Sequence, residues 1–240
     1  MFCLQVQGLS LQFAGQSLFD NLNFHVKQGE WVALLGSSGV GKSTLLRAIA
    51  GLEQSAVSAG KIHFASHLKL AWLAQQDCLF PWLSVLDNVQ LAQHLKGTKN
   101  AESLAKAEAL LAAVNMQAHI HKACYQLSGG QRQRVALART LMQEADLILM
   151  DEPFSALDAL TRMQLQDLAC ELLHEKTVIL VTHDPQEAIR LADSLYILQG
   201  HPAQMHLVGQ LSGAKPHNMA QATAWQLQEE LIAKLMQEAS

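Results

Sequence analysis

Apolar and polar residues alternate through the opening stretch of the chain. Leu4, Val6 and Leu9 fit one short strand, and Leu22, Phe24 and Val26 fit another at period two. Gln28-Gly29 reads as a turn. Trp31-Val32-Ala33-Leu34-Leu35 is a continuous apolar run, the pattern of a strand buried on both faces of a parallel sheet. A glycine-rich stretch follows, and Lys42 through Ala50 then reads as a helix closed by Gly51. Further short strands are predicted around Ile62-His63-Phe64 and Leu70-Ala71-Trp72-Leu73. Residues 76–126 read as a helix-rich insert, in which Leu104, Leu111 and Val114 recur at helical spacing in an Ala-rich segment. A helix from Gln131 leads to the apolar strand Leu147–Met150. Ala159–Lys176 reads as a helix with Leu165, Leu168 and Leu172 on one face. Thr177–Thr182 is a β-branched strand, and Pro185 suits the first turn of the helix after it. Tyr196-Ile197-Leu198 and Met205–Val208 close the series as strands, before a last helix near Ala222–Gln237. Strands alternating with helices predict an α/β core around a largely parallel sheet.

The length of 240 residues suits one globular domain with a subdomain, and a sizeable core. Half of the residues are hydrophobic and only 16% are charged, which leaves apolar surface for a partner. A net charge of −4 argues against a nucleic-acid binder built on broad basic patches, so no nucleic-acid partner is expected. No apolar run approaches the roughly 18 residues of a membrane span. The amino terminus carries no basic segment ahead of a long apolar one, so no export signal is expected. Cys3, Cys78, Cys124 and Cys170 are far apart in sequence and suggest reduced thiols in a cytosolic protein. His119 and His121 fall on a loop-like stretch and read as a solvated turn rather than a metal site.

The chemistry begins at Gly36-Ser37-Ser38-Gly39-Val40-Gly41-Lys42-Ser43, with Thr44 directly after it. The stretch follows a strand, opens a helix and matches the phosphate-loop pattern in full. Its glycines let the backbone turn sharply and approach phosphates closely, and its N–H groups face an anion at a helix start. Lys42 then reaches the β- and γ-phosphates of ATP, and Ser43 supplies an oxygen to Mg²⁺. Asp151 ends a buried strand, the place from which such a loop draws its magnesium acid, usually through water. Glu152, one residue on, can point at the γ-phosphate and polarise the attacking water.

With Leu127-Ser128-Gly129-Gly130-Gln131 between these two elements, the chain resembles the ATP-binding subunits of ABC transporters over about residues 1–210. The resemblance implies a P-loop NTPase core with an antiparallel β subdomain and a helical subdomain near 76–126, residues 211–240 forming a helical tail. It implies that Ser128, Gly129, Gly130 and Gln131 open a helix and bind the γ-phosphate of an ATP held by a second ATPase subunit, in a homodimer. Arg132 and Arg134 are structural in that motif. Phe13 matches the aromatic residue that stacks on adenine. Gln75 matches the glutamine that touches Mg²⁺ and senses the membrane partner, with the adjacent Gln76 as the alternative. Ser155-Ala156-Leu157-Asp158 matches the loop that crosses the dimer contact, and His183 matches the histidine that contacts the γ-phosphate and orients the catalytic water. Cys78-Leu79-Phe80-Pro81-Trp82-Leu83, with Val85-Leu86-Asp87-Asn88-Val89, is similar to importers for nitrate, sulfonate and taurine, and to those for pyrimidine precursors of thiamine. The length near 240 also differs from sugar importers that carry a long regulatory extension. The implied function is that of an ATP-hydrolysing motor, peripheral on the cytoplasmic face of the inner membrane, working with an integral permease and indirectly a solute-binding protein. A non-transport ABC ATPase acting on nucleic acid, ribosomes or cluster assembly is the rival, and a small-molecule P-loop kinase a third reading, which has no need of residues 127–131.

Overall fold

The structure is a computed structural model, which describes residues 1–238. Strands β1 (Phe2–Phe13) and β2 (Gln16–Lys27) pair antiparallel around a turn at Ala14-Gly15. Both are longer than the alternation predicts. The step from Val6 to Leu9 breaks period two, and the register of the pair shifts at that point. Gly8 there adopts φ +62, the left-handed conformation of a glycine bulge. The bulge restores the inward face, so Leu9 and Leu11 are buried like Leu4 and Val6.

Next come β3 (Trp31–Leu35), α1 (Lys42–Ile49), β4 (Val57–Phe64) and β5 (Leu70–Leu73). Strand β4 joins the other edge of β1, giving a three-stranded sheet in the order β2-β1-β4. The insert holds α2 (Val85–Val89), α3 (Leu91–Lys96) and α4 (Ala101–Ala113). It leads into α5 (Gly129–Leu141), which starts two residues earlier than Gln131 because Ser128 caps it. The remainder is β6 (Leu147–Asp151), α6 (Ala159–Leu172), β7 (Thr177–Val181), α7 (Pro185–Leu191), β8 (Ser194–Gln199), β9 (Gln204–Gln210) and α8 (Ala222–Glu238). The second sheet runs β5-β6-β7-β3-β8-β9, parallel except for the edge strand β9.

Period two sorts the apolar strand residues onto two faces. Ile148, Met150, Val178 and Leu180 pack with the insert, α5 and α6. Leu147, Leu149, Ile179, Val181, Val32 and Leu34 face the other way, onto α1 and the antiparallel sheet. Ala33, Leu35, Leu195 and Ile197 pack beneath α7 and α8. The parallel strands are thus covered on both sides, as their unbroken apolar runs require.

Two details differ from the sequence expectation. Leu104 is 39% exposed, although Leu111 and Val114 are buried. The inward stripe of α4 is Ser103, Ala107 and Leu111, spaced by four, and Leu104 sits one residue round from it. Helix α6 stops at Leu172 and not at Lys176. Lys176 N instead donates to Leu173 O at 2.9 Å, in the turn that reverses the chain into β7. Cys3, Cys78, Cys124 and Cys170 form no disulfide. Among the described residues, no helix is long and apolar enough to cross a membrane.

Candidate functional site

The carboxyl ends of β3, β6 and β7 lie side by side in the sheet, and the candidate residues gather just beyond them. Leaving β3, the chain turns at Gly36 with φ +150, where an added Cβ would sit 2.5 Å from Leu198 O. Only glycine fits that close approach. At Gly41, which caps α1 with φ +110, a Cβ would meet Phe19 Cζ at 2.8 Å. The loop is therefore pressed against β2 and β8. Lys42 folds back across it, donating to Gly36 O and Ser37 O, each at 2.8 Å. The first turn of α1 holds no acidic residue, so no side chain there opposes the positive end of the helix dipole.

Ser43 Oγ donates to Asp151 Oδ1 at 2.8 Å, which joins the start of α1 to the end of β6. Burial pushes the Asp151 carboxyl above its usual range, and the Ser43 hydroxyl partly offsets this. Hydroxyl and carboxylate oxygens suit a hard cation such as magnesium. Among the described residues, no cluster of three or more His, Cys, Asp and Glu could cage a metal alone. A cation here would depend on oxygens from a bound phosphate as well, which is how magnesium is commonly held. The donor set thus fits a magnesium–nucleotide and not a resident structural metal.

Glu152 takes φ +46, unusual for a residue with a side chain. Its N–H still donates to Val181 O at 2.9 Å, so the bend is locked to β7. The side chain turns to His183, whose Nδ1 lies 3.0 Å from Glu152 Oε2. Gln75 is linked to this group through Ser155. Its amide donates to Ser155 Oγ at 3.4 Å, and that hydroxyl donates to Glu152 O at 3.0 Å. The two residues after Gln76 are clamped by α5. Arg132 Nε donates to Asp77 Oδ2 at 2.8 Å, while Arg139 donates to the carbonyls of Asp77 and Cys78 at 2.6 and 2.7 Å. Arg134 donates to Val114 O at 3.2 Å, so both Arg132 and Arg134 have partners within the chain.

Ser128 is the N-cap of α5. Its Oγ accepts from Gln131 N at 3.3 Å, and Gln131 Oε1 accepts from Ser128 N at 3.0 Å. Gln131 also meets His119 at 3.3 Å. A Cβ on Gly130 would lie 2.6 Å from Thr161 Cγ2, so the openings of α5 and α6 are packed together. Asp158 caps α6, accepting from Thr161 N at 3.0 Å, and these bonds hold its carboxyl below the usual range. Ser128–Gln131 and Asp158 therefore share one face. Their side-chain partners are in α5, in α6 and at His119, and not in the phosphate loop of the same chain.

Phe13 is exposed and borders a 590 Å³ hollow that also takes in Gly39, Leu18, His201 and Pro202. His201-Pro202 was not legible as part of a site, since it sits in the β8–β9 turn with no motif around it. Ala203 N donates to Leu18 O at 2.8 Å, and this bond draws the turn against β2. Gln133 was missed too; its amide donates to Pro153 O at 2.6 Å and ties α5 to the segment after Glu152.

The family model described as ABC transporter matches residues 19–155. An uncharacterized ABC transporter ATP-binding protein of Haemophilus influenzae is 55% identical over 235 residues, covering 97% of this chain and 98% of that protein. An aliphatic sulfonates import ATP-binding protein of Streptomyces avermitilis is 42% identical over 82% of this chain and 76% of its own length. A taurine import ATP-binding protein of Ruegeria pomeroyi is 38% identical over 85% of this chain and 80% of its own. Among solved structures, a chain of an ABC transporter in an inward-facing conformation superposes with a TM-score of 0.74 at 27% identity, covering 93% of this chain and 87% of that one.

Proposed function

The chain belongs to the ABC transporter family as an ATP-binding subunit, and from that premise we propose that it is the ATP-hydrolysing motor of a bacterial importer. The observation that carries the hydrolysis reading is the convergence of Lys42, the Ser43–Asp151 pair and the Glu152–His183 pair at the carboxyl ends of adjacent strands.

Each residue has a part that its geometry suits. Gly36 to Thr44 wrap the phosphates with backbone N–H groups, and Lys42 turns from the loop carbonyls towards the β- and γ-oxygens. Ser43, Asp151 and Gln75 would hold Mg²⁺, which when bound neutralises developing charge on the phosphates. Glu152 polarises the attacking water, and His183 fixes the Glu152 carboxylate while presenting its other ring nitrogen to the γ-phosphate. Phe13 offers a face for adenine stacking over the hollow beside Gly39. Ser128, Gly129, Gly130 and Gln131, with Asp158 beside them, complete the site of a second copy. Their α5 amide groups meet the γ-phosphate held by that copy's loop, so two chains enclose two ATP molecules.

The transport reading draws on the insert. Trp82 is 70% exposed and Tyr125 69% exposed, and they flank Pro81, whose carbonyl accepts from Tyr125 N at 3.3 Å. Phe80 stacks edge-on against Trp82, with ring centres 5.4 Å apart. Such an apolar patch, a few residues along the chain from Gln75, suits a helix of an integral permease. The motor then sits peripherally on the cytoplasmic face of the inner membrane, and a solute-binding protein acts indirectly through the permease. The names of the relatives support a sulfonate or taurine solute within the group that also includes nitrate and thiamine pyrimidine precursors.

Glu152→Gln tests the hydrolysis step. Turnover is expected to fall about 100-fold or more, the scale of losing a transition-state group. ATP binding should persist and closed dimers should accumulate. Normal turnover in that variant would remove Glu152 from the role of base.

A further inference from the structure

Beneath the turn between β7 and α7 lies a buried carboxylate with no part in the scheme above. Glu187, in the first turn of α7, is only 5% exposed. Its Oε2 accepts from Thr182 Oγ1 at 2.7 Å. The Thr182 hydroxyl oxygen in turn accepts from Asp184 N at 3.1 Å. Between Thr182 and Asp184 lies His183, 3.0 Å from Glu152 Oε2. The other oxygen of Glu187, Oε1, is buried without a hydrogen-bond partner among the described residues. An apolar side chain of the same size would avoid that desolvation cost. What it would not provide is an acceptor for Thr182.

We propose that Glu187 is a positioning residue for ATP hydrolysis: through the Thr182 hydroxyl it fixes the turn 182–184, and with it the placement of His183 against Glu152. Asp184 braces the same turn, accepting from Gln186 N at 2.9 Å and taking Arg162 Nη1 at 3.4 Å. Thr182 is itself buried, so its hydroxyl is held in place by these protein partners and not by bulk water. Burial, and then the negative charges of Asp184 and Glu152, push the Glu187 carboxyl up to about 7, while Thr182 and Arg162 pull it down. Both protonation states keep an oxygen for the Thr182 hydroxyl, so a glutamine can take over the role.

The inference rests on the hydrolysis reading, and one assay separates the two. ATP turnover is measured over a range of ATP concentrations for the full chain and for Glu152→Gln, Glu187→Ala, Glu187→Gln and Thr182→Val, each with its melting temperature. Glu187→Ala and Thr182→Val are expected to lower kcat roughly 10- to 100-fold, the cost of about an ångström of misplacement, with KM for ATP within about twofold. Glu187→Gln is expected to keep kcat within about twofold of the parent chain. An unchanged kcat in Glu187→Ala would overturn the proposal. So would a Glu187→Gln variant no better than Glu187→Ala, or losses of kcat that track a lowered melting temperature. A parent that does not hydrolyse ATP overturns the hydrolysis reading itself. A parent that needs Glu152 but is indifferent to Glu187 and Thr182 overturns this inference alone.

Discussion

Glu152 is held in a conformation that costs it energy. A side-chain-bearing residue at positive φ is disfavoured by about 1–3 kcal/mol, and here the Val181 carbonyl and the His183 ring hold it there. The residues from 36 to 44, with Asp151 and Glu152, were legible in the sequence because their chemistry is local: spacing within one loop, or one step past an apolar run. Glu187 was not legible. An acid three residues past Asp184 reads as the first turn of an exposed helix, and only the fold reveals that it is buried beneath Thr182. Its titration yields a prediction. The folded carboxyl is raised to about 7 from an ordinary 4.5. The stability associated with its protonated form is therefore fully present below the unfolded value and is lost as pH rises through about 7. Glu187→Gln cannot ionise. Its melting temperature relative to the parent should rise between about pH 5 and about pH 8. Thermal melts at both values check this, and a constant difference would contradict it.

The elements were read best where one interaction dominated. The apolar runs of β3, β6 and β7 are buried along both faces, so composition alone marked them. Strand β1 was harder, since its pattern is interrupted at Gly8 and only the bulge explains why both halves face inward. In α4, Leu111 packs inward as expected, but Ala107 and Ser103 take the inward places one turn and two turns before it while Leu104 stays exposed, and small residues give a weak periodic signal. Helix ends were harder to read, since the apolar pattern does not mark the capping side chains: α5 begins two residues before Gln131 because Ser128 caps it, and Asn100 caps α4. Asn100 accepts from Ser103 N at 2.8 Å, and Ser103 Oγ accepts from Asn100 N at 3.1 Å. Asn100→Ala should cost about 1 kcal/mol. Denaturant unfolding measures it, and ATP turnover should stay unchanged, since no proposed site residue touches Asn100. A loss of turnover with unaltered stability would mean that the insert contributes to the site in a way its contacts do not explain.

At the scale of the molecule, the proposed mechanism assigns the phosphate loop and the opening of α5 to different halves of one device. The loop is braced by Phe19 and by Leu198 O against the strands behind it. Ser128 and Asp158 cap neighbouring helices whose first turns pack together, which leaves their amide ends as a face without a phosphate of its own. Arg132 and Arg139 couple that face to the segment after Gln75, and Gln75 leads through Ser155 to Glu152. The apolar patch at Trp82 and Tyr125 lies on the same insert, so a permease pressing there could alter both faces at once. The sequence carried the composition of this device through the resemblance of residues 127–131, while the bracing contacts join residues far apart along the chain and leave no local pattern. In the proposed mechanism, hydrolysis takes place between two copies of the chain. The direct measurement is ATP turnover per chain as protein concentration is lowered through the range where dimers separate. Turnover per chain should fall towards zero in proportion to the remaining dimer; a value that stays constant in isolated single chains would contradict it.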